Sequence, residues 1–87
     1  MEMLQVETAG SMRDLVTVIA QSLVDNPNSV SVDEVSSGQT KVLELHVAKA
    51  DIGKVIGRQG RTAHAMRTII NAVSAKGRKR TVLEIVE

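Results

Sequence analysis

The 87-residue chain contains no phenylalanine, tryptophan, tyrosine or cysteine. Its core is therefore aliphatic, made of Val, Ile, Leu, Met and Ala, with no disulfide to staple it. A single domain of this size buries only about two-thirds of its unfolded surface. Hydrophobic residues make up 43% of the chain, an ordinary globular share. The missing cysteines also exclude a thiol nucleophile and a thiolate metal site. Two histidines, His46 and His64, cannot make a zinc site alone. No metal and no cofactor is expected.

No apolar run approaches the roughly 20 residues of a membrane span. Residues 1–10 hold two glutamates and no basic residue, the wrong charge for a secretory signal. A cytoplasmic protein is expected, with residues 1–10 as an extension, either a tail or a short added strand, and residues 11–87 as a single domain.

Ser11 and Asp14 form a capping-box pattern, followed by Met12, Leu15, Val16, Ile19 and Leu23 at helical spacing. Asp25-Asn26-Pro27 ends that helix. Val30 and Val32 alternate with polar neighbours; Val35 falls out of step, as a bulge or a strand end would make it. Ser36-Ser37-Gly38-Gln39 reads as a hairpin loop, and the next strand covers 40–47. There Leu43, Leu45 and Val47 face one way and Val42, Glu44 and His46 the other. Asp51 is placed to cap a short helix, Ile52–Ile56. A long helix follows from 61 to about 76, with Met66, Ile69, Ile70 and Val73 as its buried stripe and Gly77 as its C-cap. A last strand covers 81–86, with Leu83 and Ile85 on one face. The order α-β-β-α-α-β, with three strands and helices on one face of the sheet, predicts a two-layer α+β sandwich.

Net charge is only +1, but it is unevenly distributed. Residues 1–48 carry seven acidic side chains and two basic ones, Arg13 and Lys41. Residues 49–81 carry nine basic side chains and one acidic, Asp51. Such a segment is either an electrostatic footprint for a polyanion or a solvated basic face. At its centre Gly57-Arg58-Gln59-Gly60 joins the short helix to the long one. Glycines permit positive φ and leave no Cβ in the way of an approaching strand. The N–H groups and positive dipole end of the long helix face the loop, a setting for phosphate. Lys54, Arg58 and Arg61 add cationic donors. The alternative is a plain helix-capping turn with Gly57 as C-cap. Other glycine motifs fail: no lysine and hydroxyl residue follow the second glycine, as a nucleotide-hydrolase loop requires, and the dinucleotide spacing is different.

Val55-Ile56-Gly57-Arg58-Gln59-Gly60 resembles the signature of KH domains, the GXXG-loop nucleic-acid binders, and the element order resembles their type II arrangement. Leu23-Val24-Asp25-Asn26-Pro27, the segment 53–62 and Ala65-Met66-Arg67-Thr68-Ile69 all resemble the small single-domain bacterial KH proteins of the KhpA family. The resemblance covers about residues 12–87. It implies a groove for about four single-stranded nucleotides, with the loop on the sugar-phosphate backbone and bases against aliphatic side chains. Here the loop is Gly57, Arg58, Gln59 and Gly60, and the helix side is Ile52, Gly53 and Ile56. The strand 40–47 supplies the sheet side, with Leu43 or Leu45 as wall unless both are plain core. The family further implies RNA chaperoning, action with a larger KH-domain partner, KhpB, and a link to cell-wall growth and cell-length control. Without aromatic stacking, worth about 1–3 kcal/mol per base, binding is expected to be weak, electrostatic and poorly sequence-specific.

Two other readings compete. One is a protein-interaction subunit that dimerises or docks a KH partner. Its candidate surfaces are Ala63, Ala65, Ala72 and Ala75 on the long helix, and Val42, Val82 and Val86 on the outer sheet face. The other is duplex-DNA binding by a helix-turn-helix, against which Ile69 and Val73 as buried residues would count. His64, in the first turn of the long helix, is a phosphate contact or an exposed polar residue; His46 reads as surface. Arg78, Lys79 and Arg80 either extend a phosphate track or form a solvated turn. No paired carboxylates or nucleophile–base pair stands in the basic segment, so no enzyme is expected.

Overall fold

The computed structural model describes residues 12–74 and 80–87. Ser11, Ala75, Gly77, Arg78 and Lys79, singled out above, lie outside these residues. Helix α1 covers Met12–Leu23. Strands β1, Ser31–Ser37, and β2, Thr40–His46, form an antiparallel hairpin. Helices α2, Ile52–Ile56, and α3, Arg61–Ser74, follow. Strand β3, Arg80–Ile85, pairs parallel to β2. Two parallel neighbours cannot be joined by a tight turn, so the chain from β2 to β3 must cross over, and α2 and α3 are that crossover. The α-β-β-α-α-β order is as expected, and β2 is the middle strand.

The core is wholly aliphatic. Val16 and Ala20 from α1, Val32, Leu43, Leu45 and Leu83 from the sheet, Val55 from α2, and Met66 and Ile70 from α3 form one cluster. The helical stripes are rotated from their expected positions. On α1 the buried centre is Val16 and Ala20, while Leu15 and Leu23 lie at its edge, each 37% exposed. On α3 it is Ala63, Met66 and Ile70; Ile69 and Val73 are exposed. Ala63 therefore belongs to the core and not to a free helix face. The burial objection to a helix-turn-helix therefore no longer holds.

The hairpin is more regular than its sequence suggests. Register runs without interruption from Ser31 opposite His46 to Ser37 opposite Thr40, so Val35 marks neither a bulge nor an end. It faces the outer side, opposite Val42. The turn has only two residues, Gly38 and Gln39, and Gly38 takes φ 59° at its first position, where such turns favour glycine. Arg67 Nε donates to the Leu83 carbonyl at 3.3 Å, which ties α3 to the edge strand β3. Among the described residues, no helix is long and apolar enough to cross a membrane.

Candidate nucleic-acid interface

Between α2 and α3 the backbone leaves the ordinary regions. Gly57 has φ 80° and ψ 170°, Gly60 has φ 75°, and Gln59 between them sits at φ 57° and ψ 27°. Gln59 is the one non-glycine residue with positive φ among the described residues. That conformation costs a residue with a Cβ about 1–2 kcal/mol, and such strain concentrates at functional loops. The two glycines are required for different reasons. A Cβ on Gly57 would collide with the Thr62 side chain and approach its backbone nitrogen to 2.8 Å. The space around Gly60 is open, so only its φ demands glycine. Gly57 N–H donates to the Gly53 carbonyl at 2.9 Å, closing α2, and Gly60 N–H donates to the Gly57 carbonyl at 3.1 Å.

Arg58 and Gln59 are exposed at this loop, and exposed Arg61 opens α3. On α2, Val55 is fully buried and anchors the helix, while Ile52 and Ile56 are half-buried and Gly53 is exposed. The structure therefore gathers Ile52, Gly53, Ile56 and Arg61 around the glycine loop. Lys54 is engaged elsewhere: its Nζ lies 3.3 Å from Asp25 Oδ2 and 3.8 Å from Asp51 Oδ1. Leu43 and Leu45 are both 0% exposed, on the middle strand of the sheet. They are core and not the wall of a groove. His64 is exposed in the first turn of α3.

Asp51 has a role that its place in the sequence conceals. It makes no side-chain cap on α2. Its carboxylate, 1% exposed, instead accepts the Asn26 side-chain amide at 3.0 Å and the backbone N–H groups of Asn26 at 3.0 Å and Asp25 at 3.3 Å. It thus pins the turn after α1 to the start of α2. Local spacing cannot distinguish a cap from an acceptor serving residues 25 positions away. Burial pushes the Asp51 pKa up, but the hydrogen bonds from Asn26 and Asp25 and the nearby Lys54 ammonium outweigh it, and the net direction is down from 3.8. A depressed carboxyl stabilises the fold above its unfolded pKa and loses that contribution as pH falls through the folded value. Asp51→Asn is expected to lower the melting temperature by several degrees at neutral pH. The gap from wild type should narrow as pH drops below 3.8. Melting curves from pH 7 to pH 2.5 check this, and a gap that persists in acid would contradict the charge-based account.

Residues 13–85 match the family model described as KhpA/KhpB, KH domain. The chain belongs to the KhpA/KhpB KH-domain family. Every residue from Ile52 to Arg61 discussed above lies inside the matched span. Among relatives, the RNA-binding protein KhpA of Clostridium acetobutylicum is 53% identical over 75 residues, which cover 86% of this chain and 100% of that protein. The RNA-binding protein KhpA of Caldanaerobacter subterraneus subsp. tengcongensis is 49% identical with the same coverage. That of Aquifex aeolicus is 49% identical over 77 residues, 88% of this chain and 98% of that protein. A crystal structure of Aquifex aeolicus Era bound to GDP.AlF4- superposes with a TM-score of 0.57 at 16% identity, covering 85% of this chain and 29% of that one. That likeness concerns fold alone.

Proposed function

We propose that the chain is a non-catalytic, cytoplasmic, single-stranded RNA-binding module, with residues 11–87 as one KH domain and residues 1–10 as an extension. The loop of Gly57, Arg58, Gln59 and Gly60 grips the RNA backbone, Arg61 adds a second cation, and bases rest on Ile52, Gly53 and Ile56. Lys54 joins when RNA draws it from its two carboxylates. The observation that carries this reading is the left-handed Gln59 held between two positive-φ glycines, with exposed Arg58 beside it. That geometry presents bare backbone and a guanidinium together, which suits a phosphate. The names of the KhpA relatives support RNA as the ligand. RNA chaperoning with a larger KhpB-type partner, and a part in cell-wall growth and cell-length control, extend the same reading.

The test is an anisotropy titration of a short mixed-sequence single-stranded RNA at several salt concentrations. Affinity should fall with salt, with a log–log slope of about −0.7 for each phosphate held. Two or three such phosphates give roughly −1.4 to −2.1. Absent or salt-insensitive binding would overturn the proposal and favour the second reading, a subunit that dimerises or docks a KH partner. The observation behind that second reading is apolar exposure on α3, where Ile69 is 44% and Val73 48% exposed.

A further inference from the structure

The outer face of the sheet, away from the helices, carries a different chemistry. Antiparallel pairing sets Asp33 directly opposite Glu44, and His46 follows two residues along β2 on the same face. Parallel pairing sets Glu84 opposite Glu44 on β3, adding a further negative charge. One ligand atom each from Asp33, Glu44 and His46 lies within 4.8 Å of the other two. His46 Nε2 is 3.2 Å from Asp33 Oδ2, within ion-pair distance but without hydrogen-bond geometry; that nitrogen is shielded, while the imidazole as a whole is 38% exposed. The nitrogen thus faces one carboxylate at 3.2 Å and has a second within 4.8 Å, a set of three donors that one ion can bridge. Glu44 makes no ion pair among the described residues.

We propose that Asp33, Glu44 and His46 bind a divalent transition ion of the Zn2+ class. An imidazole nitrogen with two carboxylates suits Zn2+ better than Ca2+ or Mg2+, which prefer oxygen throughout. Bonds of about 2.0–2.2 Å to a tetrahedral ion set neighbouring ligand atoms about 3.4 Å apart. The His46–Asp33 pair already meets that spacing, and rotation of the Glu44 carboxylate completes it. Three protein ligands leave a fourth position open to water or to another molecule. Two histidines alone cannot hold zinc, which is why the sequence predicted no metal; strand register supplies the missing carboxylates. An ion here cross-links β1 to β2 on the face opposite the glycine loop.

The test is calorimetric titration of the full chain with ZnCl2, paired with NMR of the two histidine rings. The expected result is one Zn2+ per chain, with perturbation of the His46 ring and not the His64 ring. Affinity should fall about tenfold or more in His46→Ala, Asp33→Asn and Glu44→Gln. His64→Ala, on α3, should bind as wild type does. The three altered side chains lie on a solvent-facing sheet surface; should one variant fail to fold, the other two read the same site. No saturable binding at millimolar Zn2+, binding that survives these substitutions, or binding lost in His64→Ala would each overturn the proposal.

Discussion

Replacing Arg58 and Gln59 together by aspartate is expected to remove RNA binding while leaving the fold intact. Both side chains are exposed, and neither makes an ion pair or side-chain hydrogen bond to another described residue, so the fold loses nothing with them. Aspartate tolerates the left-handed conformation of position 59 better than glutamine does, so no backbone cost offsets the design. The local charge falls by three, from a site that attracts phosphate to one that repels it. A hydrogen bond to a charged group contributes about 1.5–3 kcal/mol, so losing two weakens binding by roughly 100-fold or more before repulsion is counted. Residual binding should show a salt slope smaller by about 0.7 for each phosphate no longer held. Anisotropy titration beside a melting curve tests both halves. If the variant melts like wild type and binds RNA equally well, the glycine loop is not the grip.

The loop was legible because its demands are local. Gly38, Gly57 and Gly60 all take positive φ, and each position was marked by a glycine between periodic segments. The buried face of β2 was legible for the same kind of reason, since Leu43 and Leu45 flank Glu44 and both leucines are core, whereas the turn is two residues and not the four from 36 to 39 that the sequence suggested. Interactions made across the fold left no such mark. Asp51 looks like a helix cap and is the acceptor for a turn far away in sequence; Lys54 looks like a free cation and sits beside two carboxylates. Leu43 and Leu45 carry nothing in their side chains to tell a groove wall from a core. Val35 seemed out of step only because it joins Val42 on the outer face, where the alternation continues undisturbed. The divalent cluster was invisible for a related reason: Asp33 becomes a neighbour of Glu44 and His46 only once the strands pair.

The helical stripes expose a further limit, and α3 offers a direct test of it. Ile69 and Ile70 are adjacent in sequence and identical in chemistry, and periodicity alone assigns both to the buried face. In the structure Ile70 is 2% exposed and Ile69 is 44% exposed, because small Ala63 completes the inner face and rotates it away from Ile69. Ile70→Ala should therefore cost about 2–5 kcal/mol through lost burial and an unfilled cavity. Domains have stabilities of roughly 0.05–0.15 kcal/mol per residue, so this loss is a large part of the total. At about 4–8 °C per kcal/mol, the melting temperature falls by at least about 8 °C. Ile69→Ala removes little burial and adds a better helix former, so its effect should stay within about 0.5 kcal/mol. Urea unfolding of the two variants, at two protein concentrations, distinguishes the possibilities. Equal losses independent of concentration would mean that α3 packs as its periodicity alone suggests. An Ile69 loss that grows with protein concentration would mean that a second copy covers this face in solution, since stability then depends on association by mass action.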